Sequence, residues 1–152
     1  MSDTAPSSPT IVVGCDGSDP ARLALELAVR RLRDGGTLFC VYAYPMPDGW
    51  MSPRASQLML NEGMRRGEDV LEQARAAAVA VLPAEAVHVE LIGGRAAKAL
   101  ADVATARGAD EIIVGSRGFG RARALLGSVS HELIHIAPSP VTVIPERLVG
   151  GD

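Results

Sequence analysis

The sequence predicts an α/β fold: a single open, Rossmann-like sheet of five parallel strands with helices on both faces. Short runs rich in β-branched residues alternate along the chain with segments whose apolar residues recur at helical spacing, which is typical of parallel βαβ units. Hydrophobic residues make up 47% of the 152 residues but aromatic residues only 3%. Aliphatic side chains must therefore fill the core, as they do in helix-covered parallel sheets.

Five strands are expected at Thr10–Gly14, Thr37–Tyr44, 87–92, 111–114 and Val141–Ile144. The first helix should begin at a cap formed by Ser18 or Asp19, with Pro20 in its first turn, and should end at Gly35-Gly36. The other three helices are expected over 57–82, 96–107 and 128–137, with Gly108 as the stop signal of the third.

Helical periodicity also predicts which side chains face the sheet. The expected buried stripes are Leu25, Ala28, Val29 and Leu32 in the first helix; Val70, Ala74, Ala77, Ala78 and Val81 in the second; Ala97, Leu100, Ala101 and Ala104 in the third; and Val129, Leu133 and Ile136 in the last.

The segment 45–56 contains three prolines and a glycine, which predicts a loop, and its length is typical of a flap over a site. Trp50 and Met51 lie in this loop and could either cover a ligand or pack the loop against the fold; we favour packing.

Charge and composition narrow the classes of function. The formal net charge of −3 argues against wholesale binding to nucleic acid or to an anionic membrane. Cys15 and Cys40 lack a metal-like spacing and indicate free thiols that serve as small core residues in a reducing compartment. With no membrane-spanning run and no signal peptide, we expect a cytoplasmic protein with a disordered tail at 1–8 and one domain at 9–147.

The stretch that follows the fourth strand has the composition of a phosphate loop. Glycines let a backbone approach oxygen anions closely, and the helix that opens at Gly127-Ser128 offers free amides and the positive end of its dipole. Ser128 and Ser130 add hydroxyl donors, and Arg117, Arg121 and Arg123 place positive charge nearby in an acidic protein.

Gly115, Gly118 and Gly127-Ser128 follow the glycine signature of the universal stress protein family, and nearly the whole chain resembles that family. Further similar stretches are VVGCDGS after the first strand, GGRAA before the third helix and GSVSHELIHIAPSPVTVIP at the end. The resemblance implies the sheet order 3-2-1-4-5, which makes strands 1 and 4 neighbours and brings their glycine-rich turns to one crevice.

The resemblance is to the ATP-binding branch of the family and implies a set of site residues. Asp16 matches the acidic residue that contacts the nucleoside, although an Asp in a tight turn often bonds only to nearby amides. Ala43 matches the backbone position that holds the adenine. The positions that match phosphate contacts are Gly115, Arg117, Gly118, Gly127, Ser128 and Val129.

The implied function is that of a stress-response regulator that binds ATP, with or without Mg²⁺, and has no dedicated catalytic machinery, although slow ATP hydrolysis stays open. The alternative is a dimeric interaction module of the same fold that works without nucleotide. The family also implies a homodimer that pairs the terminal strand Val141–Ile144. The loop between Gly118 and Gly127 is one residue shorter than the family pattern, and we expect that contraction between Gly120 and Leu126.

A competing motif is His131-Glu132-Leu-Ile-His135, a literal HExxH, which on a helix places two imidazoles one turn apart where they can share Zn²⁺. We consider a zinc protease a remote alternative because no third ligand is evident, the helix stops at Pro138, and both histidines should lie in solvent, opposite the apolar stripe.

We therefore expect the purified protein to carry no stoichiometric zinc. Elemental analysis tests this directly, with His131→Ala as the comparison. About one zinc ion per chain, lost in His131→Ala, would revive the protease hypothesis.

Overall fold

The computed structural model describes residues 8–116 and 127–145. Within them, five parallel strands form one sheet in the order β3-β2-β1-β4-β5, which confirms the predicted architecture. The strands are β1 (Thr10–Gly14), β2 (Thr37–Tyr44), β3 (Val87–Gly93), β4 (Glu111–Gly115) and β5 (Val141–Ile144). The helices are α1 (Asp19–Arg31), α2 (Pro53–Val79), α3 (Ala96–Arg107) and α4 (Ser128–Ile136), and one 3₁₀ turn covers Ala84–Ala86.

Helices cover both faces of the sheet and divide the core into two clusters. On one face α1 and α2 pack over Ile11 and Val13, and on the other α3 and α4 pack over Val12. Successive residues of β1 therefore alternate between the two clusters, and all three are at most 2% exposed. A central strand buried on both faces explains why β1 reads as a continuous apolar run.

The helix boundaries follow local capping chemistry. The Ser18 hydroxyl accepts a hydrogen bond from the Ala21 amide at 3.4 Å, and Pro20 lies in the first turn of α1, as predicted. Gly108 ends α3 in the left-handed conformation, with φ of 60°. The stripes predicted for α1 and α3 are buried.

The predicted boundaries of α2 were wrong at both ends. The helix begins at Pro53 because the Ser52 hydroxyl caps it by accepting from the Ala55 amide at 3.1 Å, so the loop is shorter than 45–56. It ends at Val79, so Val81 lies beyond the helix and is 49% exposed, and Ala77 is exposed too. The Ser-Pro pair resembled a loop in sequence but serves as a helix start.

The buried face predicted for α4 was also largely wrong. Leu133 is fully buried, but Val129 and Ile136 are 36% and 44% exposed. The nine-residue helix packs against α3 and β5 at the margin of the sheet, so only a narrow stripe of it meets the core.

Gly115 marks the closest approach between β4 and α1. A Cβ placed on Gly115 would lie 2.6 Å from Pro20 Cβ and 3.0 Å from the Pro20 carbonyl carbon. The proline ring and backbone cannot rotate away as a flexible side chain would. A glycine at the end of β4 is therefore what allows the start of α1 to pack against it.

We expect Gly115→Ala to lower the free energy of unfolding by about 1–3 kcal/mol, because the added methyl group forces β4 away from α1. Gly49→Ala is the matched control, since a Cβ there meets no atom within 4 Å. It should change stability by less than about 0.5 kcal/mol. Urea unfolding followed by circular dichroism measures both, and equal stabilities for the two variants would contradict this account of the contact.

Candidate functional site

The order of the strands creates a crevice beside the carboxyl end of β1. After β1 the chain crosses to α1 on one face, whereas α4, which precedes β5, packs on the other face. In open α/β sheets such a switch point leaves space outside the carboxyl ends of the strands, where ligands bind. Here a cavity of about 400 Å³ occupies that position, a volume in the range of small-ligand sites.

Six of the eight residues that the sequence nominated line this cavity: Asp16, Ala43, Gly115, Gly127, Ser128 and Val129. They come from the ends of three strands and from the first turn of α4, so residues more than one hundred positions apart share one wall. The other two, Arg117 and Gly118, lie outside the described residues, as do Arg121, Arg123 and the expected contraction of the loop.

Asp16 lines the cavity, and it also stabilises a tight turn, which was the alternative role considered from the sequence. Its Oδ1 accepts from the Ser18 amide at 2.8 Å and from the Ser18 hydroxyl at 2.5 Å. Gly17, with φ of +85°, lets the chain turn between them. Among the described residues, no group donates to Oδ2, so the second carboxylate oxygen keeps its capacity to accept.

The start of α4 is fixed to the end of β4. The Gly127 amide donates to the Ser116 carbonyl at 2.6 Å, and the Ser130 hydroxyl donates to the same oxygen at 3.2 Å. Ser130 is 1% exposed and anchors the helix, so its predicted role as a further phosphate donor was wrong. Ser128 is exposed and lines the cavity, so its hydroxyl can reach a ligand.

Sequence analysis missed the start of α3 as part of the site. Ala96, the first residue of α3, lines the same cavity as the start of α4. Neither helix has a side-chain cap among the described residues: Arg95 makes no capping hydrogen bond, and Gly127 has no side chain. The first amides of both helices thus lack side-chain partners, and both dipoles present their positive ends. The GGRAA stretch before α3, which resembles the family, was the sequence signal that could have placed this helix start in the site.

The HExxH residues do not form a metal site in the described structure. His131 and His135 are exposed and their rings meet edge to face at 5.2 Å between centroids. Glu132, the expected general base, forms an ion pair with Arg95 at 2.6 Å. Among residues 8–116 and 127–145, no group of three or more His, Cys, Asp or Glu side chains could hold a metal ion.

The loop that precedes α2 leaves its tryptophan in solvent. Trp50 is 96% exposed, so the prediction that it packs the loop down was wrong. The loop is held by a local turn instead, in which the Asp48 side chain accepts through Oδ1 from the Trp50 amide at 3.0 Å. Met51 is half-buried.

The two cysteines are buried free thiols, as expected. Cys15 follows β1 directly, and its amide donates to the Val41 carbonyl at 2.8 Å, which extends the β1–β2 pairing by one residue. A hydrogen bond with Cys40, together with burial, raises the pKa of the Cys15 thiol well above its ordinary value. Both effects favour the neutral thiol, which suits a core residue.

None of the helices in the described part of the chain is long and apolar enough to cross a membrane.

In the described wall of the cavity, Asp16 carries the only carboxylate and no lysine, arginine or histidine is present. The chemistry available there is hydrogen bonding from backbone amides and hydroxyls above an apolar floor.

Comparison with known proteins agrees with this architecture. The model of the universal stress protein family matches residues 8–145. The chain is 34% identical to a universal stress protein of Thermus aquaticus, over 89% of this chain and 97% of that protein. A universal stress protein of Lactobacillus plantarum superimposes with a TM-score of 0.78 at 22% identity, covering 90% of this chain and 97% of that one.

A universal stress protein solved in complex with cAMP superimposes with a TM-score of 0.68 at 28% identity. The match covers 90% of this chain and 96% of that one. The family match spans all the described residues, and the sheet order is the one that the family resemblance implied. The chain therefore belongs to the universal stress protein family.

Proposed function

We propose that this protein binds an adenine nucleotide, preferentially ATP, in the cavity at the carboxyl end of the sheet. The observation that carries the proposal is the convergence on one cavity of two helix N-termini, those of α3 and α4, that have no side-chain cap from the described residues. Free amides and helix dipoles at such ends attract phosphate groups. A neutral ligand would leave this arrangement unused.

The phosphates are proposed to lie against Gly127, Ser128 and Val129. Gly127 allows close approach because it has no side chain, and the Ser128 hydroxyl lines the cavity beside the free amides. The bond from the Gly127 amide to Ser116 holds this turn in place before any ligand arrives. By family resemblance, Gly115, Arg117 and Gly118 belong to the same phosphate site.

The nucleoside is proposed to lie toward β1 and β2. Asp16 lines the cavity with one carboxylate oxygen available to accept from a ribose hydroxyl. Ala43, near the end of β2, offers backbone groups to the adenine edge, and its small side chain leaves room for the ring. Val41, Leu100 and Val114 supply apolar wall on which a base can pack.

The cAMP complex of a relative supports an adenine nucleotide as the class of ligand. We propose a regulatory role rather than catalysis, because the one carboxylate in the described wall is already held by Ser18 and no lysine or histidine accompanies it. Mg²⁺ would accompany ATP through the phosphates. The second candidate, a dimeric interaction module that works without nucleotide, is favoured only by the free edge of β5.

We expect affinity to rise from AMP to ADP to ATP, because added phosphates reach more of the amides at the start of α4. Ser128→Ala should weaken ATP binding by about tenfold, the effect of one lost hydrogen bond to a charged group, and AMP binding by less. Ser56→Ala, on α2 and outside the cavity, is the matched control. Isothermal titration calorimetry with the three nucleotides measures both effects.

Equal affinities for AMP, ADP and ATP would show that the phosphates do not reach α4. The protein would then be a binder of the adenosine moiety. Absence of binding to all three nucleotides would favour the interaction module instead.

We further propose a homodimer through β5. Ser116 and Ile112 donate from β4 to the carbonyls of Ile144 and Pro140. Because backbone groups alternate in direction along a strand, Val141 and Val143 direct their own N–H and C=O groups to the free edge. Such an edge is available for pairing with a second copy.

Light scattering at micromolar concentration should therefore give a dimer mass, and Val143→Pro should give a monomer by removing an outward N–H group without breaking the β4–β5 ladder. Val89→Pro is the matched control. The Gly94 amide donates to the Tyr44 carbonyl, so Gly94 faces β2 and the alternation of backbone directions turns Val89 away from it. Val89 therefore holds the equivalent outward position on β3, at the opposite edge of the sheet. A monomer mass for the parent protein would overturn the proposed dimer.

A further inference from the structure

A second cavity, which we name the α1–α2 cleft, lies between α1 and α2 on the opposite face of the sheet from α3 and α4. Its volume is about 560 Å³. Five buried residues form its floor: Cys15, Ala21, Leu25, Val29 and Ala74. Val70, Ala77 and Val81 complete its apolar walls. This cleft is separate from the proposed nucleotide site, although Cys15 and Ala21 contribute to both cavities.

The cleft exists because α2 presents small side chains toward α1. Both helices bury a stripe against the sheet, which includes Ala28 of α1 and Leu71 and Ala78 of α2. Beside those stripes, Ala74 and Ala77 are too short to fill the space between the helices. Val81 remains 49% exposed at the wall. A chain that lay in the cleft would remove this apolar surface from water, which favours binding.

The rim of the cleft is positively charged although the protein is acidic overall. Arg22, Arg30 and Arg33 line the cleft against one acidic residue, Glu26. Arg22 is already paired with Asp19 at 3.0 Å. Within the described residues, Arg30 and Arg33 form no ion pair, and they lie together at the end of the cleft where α1 terminates.

The length and volume of the cleft suit a short extended chain. From Ala21 to Val29 the floor is about 12 Å long at the helical rise of about 1.5 Å per residue. The cleft has about 560 Å³, which lies within the range of small-ligand pockets.

From this apolar floor and its cationic end we infer that the α1–α2 cleft binds one medium-chain fatty acid. The acyl chain lies along the floor formed by Leu25, Val29 and Ala74, and the carboxylate meets the guanidinium groups of Arg30 and Arg33. A planar guanidinium group matches the geometry of a carboxylate and can pair with it while partly exposed to water. Glu26, farther along the rim, excludes the carboxylate from the middle of the cleft.

The first test is calorimetric titration with dodecanoate below its micellar concentration. Ala77→Phe places a ring in the cleft from an exposed helical position, so the fold should tolerate it. It should weaken dodecanoate binding by at least about tenfold. Ala76→Phe, also exposed on α2 but outside the cleft, should bind as the parent does. Circular dichroism confirms that both variants are folded.

The second test addresses the carboxylate. The double variant Arg30→Gln, Arg33→Gln should weaken dodecanoate binding by about fivefold, as expected for a partly exposed ion pair, and leave the affinity for uncharged 1-dodecanol unchanged. Arg54→Gln, at the far end of α2, is the control.

Several outcomes would overturn the inference. One is the absence of saturable dodecanoate binding, and another is equal weakening by Ala76→Phe and Ala77→Phe. Displacement of dodecanoate by AMP would place the fatty acid in the other cavity. Binding only to phosphatidylglycerol vesicles, and not to monomeric dodecanoate, would show that the cleft contacts a membrane surface. Apart from the competition with AMP, none of these results depends on whether the protein binds nucleotide.

Discussion

The pairing of β1 with β4 is the constraint on which the rest of the structure depends. It places the turn after β1 beside the end of β4, and Gly115 allows Pro20 and the start of α1 to pack there without a side chain in the way. The bond from Gly127 to Ser116 then fixes α4 to the same point. The crevice is thus a consequence of backbone packing.

The cavities on the two faces of the sheet differ in their chemistry. On the side of α3 and α4, uncapped helix starts border the cavity, so its chemistry favours anions. On the side of α1 and α2, the helix starts are capped by Ser18 and Ser52, and alanines leave an apolar cleft. Cys15, at the end of β1, lies in the wall of both cavities, and its raised pKa keeps it an uncharged packing residue.

Interactions in loops, at helix ends and at the edge of the sheet were the hardest to predict from the sequence. The Ser52-Pro53 pair read as a loop signal because proline and serine occur in both loops and helix starts, and only the hydrogen bond to Ala55 decides between them. Trp50 was expected to pack but is exposed, and the loop is stabilised instead by the bond from the Trp50 amide to the Asp48 side chain. Val129 and Ile136 have the helical spacing of a buried stripe, yet α4 lies where no further helix covers that stripe within the described residues.

By itself the sequence determined the fold class, the strands and the helix start at Gly127, because periodicity, capping residues and glycine-rich turns are local signals. The resemblance to the family, not a local signal, nominated Asp16 and Ala43. Only the tertiary structure decided which of these groups face the cavity. It turned Ser130 inward as an anchor, left one oxygen of Asp16 available and added the start of α3 to the cavity. It also created the α1–α2 cleft, because the space between two helices depends on side chains that lie far apart in the chain and meet only when both helices pack on one sheet.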